Sequence, residues 1–226
     1  MDVNPISLTF ARGVYALELN NMAKSVKEQI SDYLSRFTVG IAGCGGLGSN
    51  AAMALARVGV GKLLLADFAI ITPQCLDRQY FFADQVGKLK VHGLRDNIMK
   101  ANPKINVKAF DIKLCTSDVI ELFTHCDVVI EAFDKAEMKQ MIIETMLTNL
   151  PHIPLVVGVG IAGWGKNADA HIRRSDNLII CGDEVSALSD QLPVFAPRVG
   201  LVAHMQANEV MKLLLKDFIS KTADEP

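Results

Sequence analysis

Polar and apolar positions along the chain follow two periods. Residues 26–34 repeat at helical spacing, an apolar run at 39–42 predicts a buried strand, and 49–58 returns to the helical period until Gly59 and Gly61 stop it. Residues 62–66 predict a second strand, with Asp67 at its C-terminal end. A helix is predicted at 88–101, closed by Asn102 and Pro103, and 105–110 alternates like a strand. Residues 127–130 read as a short buried strand, 135–147 as a helix and 155–159 as a further strand. Residues 170–173 and 178–181 predict a hairpin around Ser175, Asp176 and Asn177, and 199–215 a long closing helix. Residues 182–197 have no clear period and read as a surface loop, and loops of that length are uncommon in compact domains unless they work. Strands alternating with helices give the expected class: α/β, a mostly parallel sheet covered by helices, with late antiparallel strands.

Composition narrows the function. A chain of 226 residues, half of them hydrophobic, fits one large domain with a substantial core. A formal net charge of -2 gives no electrostatic reason to expect nucleic acid or an anionic membrane as partner. No apolar stretch is long enough to cross a bilayer, and the first residues lack the layout of a signal peptide. The cysteines are odd in number and scattered, which argues against a disulfide framework and for a reducing, cytoplasmic setting. No C-x-x-C pair occurs, so no structural zinc is expected.

The most informative segment is Gly43–Cys44–Gly45–Gly46–Leu47–Gly48, between a predicted strand and a predicted helix. Glycines there let the backbone turn tightly beside a phosphate, whose charge the helix N-terminus holds. A tight strand-to-helix turn that binds nothing is the plainer alternative. Asp67 follows at about the twenty-residue distance of a ribose-binding carboxylate, which fits NAD and ATP alike. Arg78, just past the second strand, Lys90, at a helix opening, and Asp134, just past a buried strand, would meet above the glycines if strand ends share one edge. Two cations suit a triphosphate, a carboxylate suits Mg2+, and NAD needs no such cluster. Each also has a structural reading: Asp67 as a loop cap, Arg78 in a surface ion pair, Lys90 as a solvated helix residue and Asp134 as a helix N-cap.

These motifs, together with Val58–Gly59–Val60–Gly61, Arg78–Gln79, Gly87-x-x-Lys90–Val91 and Asn102–Pro103, resemble the ThiF and MoeB adenylyltransferases of the ubiquitin-activating-enzyme superfamily. The resemblance runs from about Arg36 to Gly160 and resumes more weakly over 197–215. It implies a Rossmann-like fold and a single adenylyltransferase domain over 1–226, with 1–35 as an N-terminal helical extension. It also implies MgATP and a ubiquitin-fold sulfur-carrier protein ending in Gly-Gly, in thiamine biosynthesis or a related sulfur-transfer route. Carried over, Gly43, Gly45, Gly46 and Gly48 cradle phosphate and Asp67 holds the ribose. Arg78 and Lys90 bind the triphosphate and stabilise charge at the α-phosphate, and Asp134 positions Mg2+.

Several positions depart from the family pattern. Cys75 stands where the family often has a nucleotide-contacting Asn, and Lys135 where an Asn often follows the metal-site Asp. The family's N-terminal arginine motif is not recognisable, Arg12 being a weak candidate, and its paired C-x-x-C motifs and a rhodanese-type domain are not seen. Cys181, next to the predicted loop, is weighed as a covalent intermediate and read rather as a small hydrophobe at a strand end. A symmetric homodimer is expected, both from the apolar residues of 26–34 and 199–215 and from the family's habit. The alternatives are an NAD-dependent oxidoreductase using the same glycine loop, and a non-catalytic binder of a ubiquitin-like protein.

Overall fold

The computed structural model describes residues 24–223. Arg12 and the rest of the expected N-terminal extension up to residue 23 lie outside the described residues. Helix α1 (Val26–Leu34) opens on a reciprocal cap: Ser25 Oγ accepts the Glu28 N–H and the Glu28 carboxylate accepts the Ser25 N–H.

The centre is a seven-stranded sheet. Its strands are β1 (Thr38–Ala42), β2 (Lys62–Asp67), β3 (Asn106–Asp111), β4 (Val128–Glu131), β5 (Leu155–Val159), β6 (His171–Ser175) and β7 (Leu178–Gly182), in the order β3-β2-β1-β4-β5-β7-β6. Every neighbouring pair is parallel except β6 with β7, the predicted late hairpin. Helices α2 (Gly46–Val58), α3 (Lys90–Ala101), α5 (Ala136–Asn149) and α6 (Ala196–Leu214) carry out the expected pattern, and α7 (Lys216–Ala223) follows the last of them.

Both faces of the sheet are covered, and the two-residue period sorts side chains between them. Val39, Ile41, Leu63, Leu65, Val128, Ile130 and Val156 point into one core with α2, α3 and α6. Ala42, Leu64, Ala66, Val129, Leu155 and Val157 point into the other, with α5 and a helix that the hydrophobic pattern did not predict, α4 (Thr116–Phe123). That helix is short and has no glycine or proline to mark its ends. Topology requires a connection of this kind, because β3 lies at one edge and β4 beside β1, and parallel strands need a crossover.

Helix α2 starts at Gly46, earlier than its first helical-period residue suggests, because its first turn is built from glycines that read as loop. The long loop runs from Asp183 to Phe195 before α6 begins. Strand order reverses between β1 and β4, and the C-terminal ends of β1, β2, β4 and β5 open onto one side there. In open α/β sheets that crevice is where ligands bind.

Candidate nucleotide-binding site

The site begins with the turn out of β1. Gly43 has φ of +94°, a conformation that side chains other than glycine rarely adopt, and its N–H donates to Ala66 O at 2.8 Å. A Cβ at Gly48 would fall 1.9 Å from the Gly43 carbonyl oxygen, so only glycine lets the helix fold back this closely onto its own loop. The N-cap of α2 is Gly45, which offers no side-chain acceptor. The first-turn N–H groups of α2 are therefore left to an external anion, with the helix dipole behind them.

A cavity of about 650 Å³ opens over this turn, within the range of small-molecule sites. Gly43, Gly45, Gly46, Asp67, Arg78, Lys90 and Asp134 all line it. Gly48 does not line it and contributes the close packing just described.

Asp67 Oδ2 accepts the Cys44 N–H at 2.7 Å and Oδ1 the Ala69 N–H at 2.8 Å. The end of β2 thus fixes the shape of the glycine turn, and Asp67 itself lines the cavity. Arg78 donates through Nη1 to Asp77 Oδ1 at 2.7 Å, while its stem reaches Gly46, whose Cβ would stand 3.8 Å from Arg78 Cγ. Asn50 holds this segment against α2 by donating to Gly46 O at 2.7 Å and to Arg78 O at 3.0 Å, and Ser49 Oγ accepts the Tyr80 N–H at 2.9 Å. Lys90 lines the cavity from the first turn of α3. Asp134 does not act as the N-cap of α5. Lys135 occupies that position, no side chain caps the helix, and the Asp134 carboxylate is exposed toward the cavity.

Three contacts were not legible in the sequence, although Gln206 itself belongs to the 197–215 stretch that carries the weaker resemblance. Lys139, on the first turns of α5, donates to Glu131 Oε2 at 2.6 Å and to Gly158 O at 2.9 Å, joining the ends of β4 and β5. Glu131 is fully buried, and burial raises its pKa against the opposing pull of Lys139 and the Phe133 N–H. Gln206 of α6 secures the same strand ends by donating to Glu131 O and Val156 O. The third feature is an ion pair at 2.7 Å between Asp183 and Arg198, both buried, which ties the two ends of the long loop together. Gln206 reaches strand ends 75 and 50 residues away, whereas Lys139 with Glu131 and Asp183 with Arg198 are pairs eight and fifteen residues apart that meet only once the chain between them folds back. The loop itself places Ser186, Leu188 and Val194 on the cavity wall.

Cys181 is fully buried in the core, where burial pushes its thiol up to about 12, Glu209 adding to the shift and Arg174 opposing it. A thiolate nucleophile there is neither formed near neutral pH nor reachable. Cys44, inside the glycine turn, is also fully buried and its pKa is raised well above the usual thiol value, first by burial and then by Asp67. Cys75, at the position where the family often has Asn, is buried, and the Thr72 N–H donates to its sulfur.

The donor set suits a magnesium-bound triphosphate. Backbone N–H groups and cations suit phosphate, Phe68, Ile112, Leu114, Phe133 and Met138 line the cavity with apolar surface that suits a base, and Asp134 offers one open carboxylate. Among the described residues no group of three or more His, Cys, Asp or Glu is placed to hold a metal ion by itself. Mg2+ needs no such group, because it binds through one or two carboxylates, phosphate oxygens and water.

A profile described as the ThiF family matches residues 17–225. The chain belongs to the ThiF family. This ThiF-family chain is 32% identical over 190 residues to the adenylyltransferase and sulfurtransferase MOCS3 of Caenorhabditis briggsae, an alignment covering 81% of this chain and 47% of the relative. It is 29% identical over 200 residues to the molybdopterin-synthase adenylyltransferase of Haemophilus influenzae, covering 85% of this chain and 81% of that one. It thus spans about half of the first relative and most of the second. Among solved structures it is similar to the tRNA N6-threonylcarbamoyladenosine dehydratase TcdA of E. coli in complex with ATP, with a TM-score of 0.75 and 20% identity over 88% of this chain and 92% of that one. E. coli MccB with ATP gives a TM-score of 0.64 at 22% identity, over 83% of this chain and 58% of that one. These likenesses bear on the fold, and they agree with the Rossmann-like architecture of this ThiF-family chain.

Proposed function

We propose that this ThiF-family chain is a nucleotidyltransferase that adenylates the C-terminal glycine carboxylate of a ubiquitin-fold sulfur-carrier protein. The observation that carries the reading is the meeting of the glycine turn, Asp67, Arg78, Lys90 and Asp134 around one cavity at the strand-order reversal. The α2 N-terminus, Arg78 and Lys90 would hold the triphosphate, Asp67 would take the ribose, and Asp134 would hold Mg2+. When bound, Mg2+ supplies charge neutralisation on the phosphates. An acceptor carboxylate oxygen then attacks the α-phosphorus, the bond to the bridging oxygen of the β-phosphate breaks, and pyrophosphate leaves. Two anions repel unless cations are set in place beforehand, so Arg78 and Lys90 act most as charge builds at the α-phosphate.

The names of the relatives support a sulfur-carrier acceptor, and they speak of molybdopterin synthase rather than of thiamine. The NAD reading leaves Arg78, Lys90 and Asp134 without a task. The non-catalytic reading leaves the whole constellation without one.

The test is ATP–pyrophosphate exchange with purified Gly-Gly-terminated carriers, run beside calorimetry with ATP and NAD. Carrier-dependent exchange and ATP binding are expected. Tight NAD binding without ATP binding would reverse the assignment, and exchange stimulated only by a modified tRNA would replace the carrier by a nucleic-acid acceptor.

Assembly as a two-fold homodimer belongs to the same reading. Helix α6 buries Val199, Val202, Ala203, Val210 and Leu214 within one chain, so its apolar face does not by itself call for a second copy. Light scattering at working concentration decides the state.

A further inference from the structure

The cations proposed for the triphosphate, Arg78 and Lys90, stand on the side of the glycine turn and β2. On the opposite side the ends of β4 and β5 and the long loop bound the cavity. There the lining includes Gly158, Gly160, Ile161, Ser186, Leu188 and Lys139. Lys139 joins those two strand ends directly.

An ammonium group carries three N–H donors. The Lys139 ammonium spends one on Glu131 Oε2 at 2.6 Å and one on Gly158 O at 2.9 Å. The third has no acceptor among the described residues. The side chain keeps 22% of its surface exposed while its partner Glu131 keeps none. Glu131 is itself fixed, since Oε1 accepts the Phe133 N–H at 2.7 Å and its carbonyl accepts from Gln206 at 2.9 Å. Lys139 is therefore held by two fixed acceptors at the cavity wall with one donor unspent. This costs little reorganisation when a ligand arrives, as an effective binding donor requires.

Resting on the adenylation reading, we propose that Lys139 is an acceptor-binding residue, whose third N–H takes a carboxylate oxygen of the incoming acceptor at the β4–β5 end of the cavity. The Glu131 pair cancels much of its charge, so its contribution is direction and position rather than bulk attraction. The unengaged carboxylate oxygen is then free to attack the α-phosphorus.

The alternative role for Lys139 is to neutralise buried Glu131 and nothing more. The pair of variants K139M and K139M/E131Q separates the two. K139M alone leaves a buried carboxylate without its cation and is expected to lose stability. The double variant removes that charge too and is expected to regain it. Acceptor KM is read by ATP–pyrophosphate exchange with a Gly-Gly-terminated ubiquitin-fold carrier, and ATP affinity by calorimetry. On this assignment the stable double variant raises acceptor KM at least tenfold and leaves ATP affinity within twofold of the native chain, and K139R restores part of the loss. A double variant with native acceptor KM overturns the assignment while the adenylation reading stands. If the native chain shows no acceptor-dependent exchange at all, the adenylation reading fails and the Lys139 assignment falls with it.

Discussion

The Asp67 carboxylate accepts the N–H of Cys44 at 2.7 Å, so the last residue of β2 holds the turn that leaves β1. The residue assigned to ribose is thus also a strut of the phosphate cradle. D67A should impair both roles. It strands the Cys44 and Ala69 N–H groups and is expected to cost about 1–3 kcal/mol of stability. ATP affinity should fall at least about tenfold, a loss of roughly 1.4 kcal/mol or more. Thermal melts and calorimetry measure the two effects. D67A with native ATP affinity would remove Asp67 from the nucleotide site.

Arg78 and Lys90 are expected to matter most during the chemical step. R78A and K90A should each lower turnover by on the order of a hundredfold, with a smaller change in ATP affinity. D134A should lose exchange activity to a similar degree and respond differently to Mg2+ concentration, because Asp134 has no structural bond to lose at the start of α5. Steady-state exchange across a magnesium titration tests all of these. Native rates in the three variants would dismantle the site.

Burial alone would raise the Asp183 carboxyl, but the Ser186 hydroxyl and N–H, the Val185 N–H and Arg198 outweigh it and bring its pKa down to about 2. The folded value lies below the unfolded one, so the stabilisation is complete above about pH 4 and is lost as pH falls toward 2. It is worth on the order of 2 kcal/mol. Melting temperature followed from pH 5 to pH 2 should show this loss in the native chain, and D183N should flatten it. D183N should also be less stable at neutral pH, since it strands the buried Arg198 guanidinium. An unchanged acid limb in D183N would assign the pH dependence to other groups.

Adenylation needs no thiol, and Cys181 is buried away from the cavity. C181S should keep carrier-dependent exchange near the native rate and lose roughly 1–3 kcal/mol of stability for a hydroxyl placed in an apolar core. Iodoacetamide should label Cys181 in the folded chain far more slowly than exposed Cys115. Loss of exchange in a folded C181S variant would give the thiol a role that its burial does not suggest.

The strand and helix periods made most of the fold legible in the sequence. Val39 and Ile41 on one face, with Gly40 and Ala42 on the other, already describe a strand buried on both sides, and the glycine turn names the edge where the site forms. The α4 helix stayed hidden because eight residues give barely two turns of periodicity and nothing punctuates their ends. The first turn of α2 stayed hidden for a different reason: close approach to Gly43 selects glycine at Gly48, and glycine reads as loop. The residues assigned to ATP were legible because they lie within local motifs. Lys139 with Glu131, and Asp183 with Arg198, were not. Each pair bridges a strand end and the helix that follows it, so the two members meet only when the intervening loop folds back, and neither has a spacing that points to the other.

The reversal of strand order between β1 and β4 divides the chain's labour along its length. Residues up to β3 bring the glycine turn, Asp67, Arg78 and Lys90 to the cavity. Residues from β4 onward bring Phe133, Asp134, Met138 and Lys139, the end of β5 and the loop above it. The β3–β4 crossover therefore separates the residues proposed for the triphosphate and ribose from Lys139, proposed for the acceptor. On the proposed reading, the choice of acceptor can drift through changes in the second half while the glycine turn, Asp67, Arg78 and Lys90 stay unchanged. Exchanging the second half between relatives is accordingly the most direct route to moving the proposed activation chemistry from one carboxylate to another.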